Sequence, residues 1–171
     1  MYEVDERDRV VEINDVPQSS PGAPMPCVIG DHRRVVLAYF VNQTEIWQMS
    51  KEQLVANQDF REEIAVVRFN LCTAHMFGPP SDEAFLGHPL SKRGLQPYGV
   101  FRIEDSSWLR QFERMNRVHP RHNPDRYWKK QHLIFAFHDS TFECICDNFK
   151  VTKTHGSISV VACEAFQSEG Y

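Results

Sequence analysis

Residues 118–143 read VHPRHNPDRYWKKQHLIFAFHDSTFE and hold four of the chain's eight histidines, at 119, 122, 132 and 138, with Asp139 and Glu143 close behind. Imidazole changes charge between pH 5 and 8, and beside a carboxylate it can trade protons with a substrate. General acid–base chemistry by His138, Asp139 and Glu143 is therefore the first expectation. Adjacent residues of a strand point to opposite faces, so His138 and Asp139 do not form a simple dyad. Ser140 lacks the G-x-S-x-G setting of an activated serine and fits a turn between two strands.

His119 and His122 stand three residues apart in a proline-containing loop. A close pair of this kind, with further imidazoles, is compatible with a divalent metal such as zinc. No H-E-x-x-H and no pair of C-x-x-C motifs accompanies it. Cys144 and Cys146 would share one face of a strand, which suits core packing better than chelation. No phosphate loop or dinucleotide fingerprint is present among the scattered glycines, so no nucleotide cofactor is expected.

The same region concentrates positive charge. Residues 110–132 carry seven Lys or Arg against Glu113 and Asp125, in a chain of net charge −4. Arg110, Arg114 and Arg117 lie at helical spacing and could hold an anion through their guanidinium forks. Glu113 and Arg117 can also pair at i, i+4. The overall acidity excludes a globally basic nucleic-acid binder but leaves room for a local anion-binding surface.

A third candidate is the stretch 74–94, AHMFGPPSDEAFLGHPLSKRG, which offers His75 and His88 as substrate-binding groups. It belongs to an apparently aperiodic segment, 73–96, too long for an idle connection in a compact domain. Its phenylalanines and leucines anchor it as an ordered loop. Folded against 119–143, it would enclose a polar ligand site.

The elements that must position these groups follow from periodicity. Strands are expected at 9–14, 33–41, 63–72 and 97–104. The 33–41 strand reads as buried on both faces, and 63–72 as solvated on the face of Arg68 and Asn70. SKEQLVANQ at 50–58 carries a capping-box signature for a short helix. SSWLRQFERMNRV at 106–118 is the principal helix, with Trp108, Leu109, Phe112 and Met115 as its apolar stripe. A second short helix starts after Asn123-Pro124. HLIFAFH, TFECICD, NFKVTKT and SISVVAC complete the chain as strands. Proline-rich 17–26 is an extended connector.

Strands followed by one strong helix and then hairpins point to an α+β fold. The expected architecture is a single domain, 1–171, with a mainly antiparallel sheet, twisted or partly rolled, and one helix packed on it. A charged N-terminal stretch, a mean hydropathy of −0.46 and five irregularly spaced cysteines point to a cytoplasmic protein without disulfides or membrane spans.

DVPQSSPGAPMP, AHMFGPPSDEAFLGHPL and FAFHDSTFE together resemble a family of small, uncharacterised bacterial proteins. The resemblance covers most of the chain and implies a single-domain cytoplasmic bacterial protein. It brings no activity, cofactor or catalytic residue. Two functional expectations stand. One is a polar small-ligand or hydrolytic site between 74–94 and 119–143, with or without a metal. The other is a non-catalytic protein holding an anionic partner on its 110–130 surface.

Overall fold

A computed structural model describes residues 2–42 and 62–168. Among the described residues, nine strands form two antiparallel sheets, flanked by helices. The first sheet contains β1 (Arg9–Glu12), β5 (Ala74–Gly78), β6 (Val100–Glu104), β7 (Gln131–Ala136) and β8 (Thr141–Cys146), in the order β1-β6-β7-β8-β5. The second contains β2 (Cys27–Gly30), β3 (Val35–Phe40), β4 (Glu63–Asn70) and β9 (Asn148–His155), in the order β2-β3-β4-β9.

Alternation along β7 and β8 assigns their two faces to different cores. Leu133, Phe135, Phe142, Cys144 and Cys146 meet Leu37, Tyr39, Val67 and Phe69 in a central core between the sheets. Ile134, Ala136 and Ile145 point the other way, toward α1 (Ser107–Asn116) and residues 85–95. Val36, Ala38, Ile64 and Val66, on the outer face of the second sheet, are covered by α3 (Ile158–Gln167). The arrangement is helix, sheet, sheet, helix. Between α1 and β7 lies the short α2 (Asp125–Trp128).

The α+β class and antiparallel pairing therefore hold, but one sheet with one helix becomes two sheets with a helix against each. The segment SISVVAC, expected as a strand, begins α3. Ile158, Val161, Ala162, Ala165 and Phe166 recur at three- and four-residue steps and pack on β3 and β4. That helix also changes β4. Val66 is buried, and Arg68 is partly covered where solvent was expected. The helix expected at 50–58 lies outside the described residues.

The 73–96 segment opens with β5, whose residues Ala74 to Gly78 pair with Ile145 to Thr141. Two 3-10 turns follow, at Phe85–Gly87 and Ser91–Arg93. Phe85, Leu90 and Leu95 are buried against the first sheet, anchoring the stretch to the outer core. Gly99, just before β6, has no room for a side chain, because a Cβ there would lie 2.6 Å from the Phe101 ring. In α1, Ser106 caps the first turn by accepting from the Leu109 N–H.

Candidate functional site

The expected histidines and acids separate into three constellations. The first is buried. Glu143, on the outer face of β8, accepts from Tyr2 Oη at 2.8 Å, His88 Nε2 at 2.8 Å and His132 Nε2 at 3.1 Å. His88 Nδ1 accepts the Leu90 N–H at 3.1 Å, so the proton of the neutral ring sits on Nε2 and points at the carboxylate. Ser106 Oγ, already an acceptor from Leu109, donates to His132 Nδ1 at 2.8 Å, which sets the same tautomer there. Burial alone would raise the Glu143 carboxyl, but His132 and His88 outweigh it and hold it down at about 2. Burial likewise lowers His132 and raises Tyr2. Trp108 closes the network, stacked on Tyr2 with ring centroids 5.2 Å apart.

This network occupies both oxygens of Glu143 and both nitrogens of each histidine. It ties the N-terminal segment, the 88–90 turn, two strands and the α1 cap into one unit. With Nε2–H given to the carboxylate and Nδ1 already accepting a hydrogen bond, neither ring keeps a free lone pair to offer a metal ion.

The second constellation sits at the β7–β8 turn. His138 Nδ1 lies 2.9 Å from Asp82 Oδ2 and 2.9 Å from the Tyr98 hydroxyl, which itself donates to Asp82. Backbone bonds fix the approach, since Asp82 N–H donates to the His138 carbonyl at 2.8 Å and Thr141 Oγ1 donates to the Pro80 carbonyl at 3.0 Å. The Tyr98 and Asp82 contacts have opposite effects on acidity. Hydrogen bonds from Tyr98 and His138 lower Asp82, while Asp82 raises Tyr98 to about 12 and raises His138. Asp139 is exposed, its Oδ1 3.9 Å from His138 Nε2.

The third constellation is a cleft of about 440 Å³ between the C-terminal end of α1 and α2, lined by Asn116, His119, Arg121, His122, Asn123, Arg126 and Tyr127. Successive turns bonding His119 N–H to Asn116 and His122 N–H to His119 curl this segment around the opening. Behind it, Glu113 accepts from Arg117 Nη2 at 2.7 Å and contacts His122 Nε2 at 2.9 Å. Arg117 chiefly, with His122, holds the Glu113 carboxyl below its usual range.

The three arginines expected to act together are not jointly available to an anion. Arg110 is nearly buried and turns back to Asp5 at 2.6 Å and Asp8 at 3.8 Å. Arg117 is committed to Glu113, and only Arg114 stands in solvent without a carboxylate partner among the described residues. Met115, expected on the apolar stripe of α1, is exposed, whereas Glu113 is buried along with Trp108 and Leu109. His75 is exposed on β5, its ring stacked against Phe142 with centroids 6.2 Å apart.

Stretch 74–94 does fold against 119–143, meeting it through Asp82–His138 and His88–Glu143. The five candidate histidines do not converge on one cavity. His119 and His122 share the cleft with two arginines, a setting for anions and not cations, and His119 Nδ1 accepts the Arg121 N–H. Among the described residues, no group of three or more His, Cys, Asp and Glu is arranged to hold a metal ion. Sequence reasoning missed Tyr2 and Tyr98, and it treated Asp82 and His132 only in passing. The proline and glycine flanking Tyr98 marked a constrained turn there, but no local signal pointed to Tyr2. No helix among the described residues is long and apolar enough to cross a membrane. No family model, curated protein or solved structure matches the chain.

Proposed function

We propose that this protein binds a small anionic molecule, bearing phosphate or carboxylate groups, in the cleft between α1 and α2. One observation carries the reading. Arg121 and Arg126 line the cleft with no carboxylate partner among the described residues. Other cations of the same basic stretch are already paired, Arg110 to Asp5, Arg117 to Glu113 and Lys130 to Asp147. Unpaired guanidinium groups are the natural partners of oxyanions, which they grip through two parallel hydrogen bonds. Asn116 and Asn123 add amide donors, His119 and His122 add ring nitrogens, and Tyr127 adds an apolar wall. The volume suits a small molecule.

The test is a titration with inorganic phosphate, followed through the ring resonances of His119 and His122 by NMR. Saturable shifts are expected, weakening as salt rises. Arg121→Ala and Arg126→Ala should each weaken binding about tenfold, the loss of a charge-assisted bond. Arg114→Ala, at an exposed site outside the cleft lining, should leave affinity unchanged. Equal affinity in the wild type and the double variant R121A/R126A would overturn the assignment.

A further inference from the structure

A separate constellation, at the turn between β7 and β8, has the form of an oriented base. His138 directs Nδ1 at Asp82 Oδ2, and the Tyr98 hydroxyl donates to that same carboxylate oxygen. The Tyr98 and His138 rings stack, with centroids 6.1 Å apart and planes 18° from parallel. A carboxylate on Nδ1 keeps the proton there, leaves the lone pair on Nε2 and stabilises the imidazolium once it forms. Nε2 has no hydrogen-bond partner among the described residues, and its nearest charged neighbour is Asp139. Tyr98 reaches this position with φ of 61°, a left-handed conformation that costs a non-glycine residue about 1–2 kcal/mol. Strain of this kind collects where a side chain must be aimed.

We propose that His138 is the general base of a carboxylic-ester hydrolysis site, with Asp82 and Tyr98 as positioning residues. Nε2 removes a proton from water while the water oxygen bonds to the ester carbonyl carbon. The carbonyl electron pair moves onto its oxygen. As that pair returns, the bond to the leaving oxygen breaks, and this oxygen takes the proton from Nε2. The products are a carboxylic acid and an alcohol, and His138 returns to its neutral form. The site is independent of the α1–α2 cleft, so either assignment can fail alone.

The charged and titratable groups facing His138 are Asp82, Tyr98, Asp139 and Glu83, of which Asp82 contributes most to raising it. The rate should therefore rise with pH through an inflection above the ordinary histidine value. With 4-nitrophenyl acetate as probe, His138→Gln should lose about a hundredfold in kcat/KM. His32→Gln, at an exposed histidine remote in sequence, should lose nothing, which separates the site from incidental imidazole catalysis. Asp82→Asn should lower the plateau and move the inflection to lower pH, a displacement that a merely structural role would not produce. Circular dichroism and the thermal midpoint check that each variant is folded. An unchanged rate in H138Q, or an inflection unmoved in a folded D82N, would overturn the proposal.

Discussion

Replacing Glu143 by glutamine keeps the size of the side chain and removes its charge from a buried site that three donors face. The ordinary glutamate value is 4.5 and the folded one about 2. At about 1.4 kcal/mol per pH unit, the ionised carboxylate contributes about 3 kcal/mol to folding. Because the folded value is depressed, this contribution is fully present above pH 4.5 and is lost as pH falls through 2. The remaining acids, including the depressed Asp5 and Asp31, are common to both proteins and cancel in the comparison. Urea unfolding followed by tryptophan fluorescence should find Glu143→Gln about 3 kcal/mol less stable at pH 7, a drop of roughly 6–12 °C in Tm. The gap should narrow below pH 4.5 and close near pH 2. A gap independent of pH, or one below about 1 kcal/mol at neutrality, would refute the picture of an ionised carboxylate held down by the groups that donate to it.

Ser106→Ala removes both the acceptor of the Leu109 N–H and the donor to His132, and should cost about 1–2 kcal/mol in chemical denaturation. Ala162→Leu forces three extra carbons into the fully buried seam between α3 and the second sheet, and should lower stability by about 1–3 kcal/mol, read from the Tm. The cleft variants R121A and R126A, being exposed, should leave that Tm unchanged while weakening phosphate binding.

What the chain displays locally was readable. The apolar run at β3, the alternation in β8 and the amphipathic pattern of α1 each follow from a period that one stretch reveals by itself. Errors arose where a short stretch satisfies two periods. Ile158, Val160 and Val161 suggest a β-branched strand, and only the continuation to Ala165 and Phe166 shows the helical repeat. Similarly, β5 alternates Ala74 and Met76 with His75 and Phe77, yet it is short and runs into Gly78-Pro79-Pro80, which masks it. The site partners were harder. His88 and Glu143 are 55 residues apart and Asp82 and His138 are 56 apart, so their meeting depends on which strands are neighbours. In α1, the helical wheel places Arg110 and Glu113 correctly, but their burial depends on Asp5, Asp8 and His122 arriving from elsewhere.

The two sheets are threaded by alternating visits of the chain. It leaves the first after β1, returns at β5, and passes from β8 to β9 across Asp147 alone. Arg9 must find Glu104, and Glu63 must find His155, before either sheet reaches its full width. Distant pairings of this kind carry a large entropy of loop closure, so folding should be slow for a chain of this size. During synthesis, β4 waits for its outer neighbour β9 until β5 to β8 have all emerged, leaving its valines in need of temporary shelter.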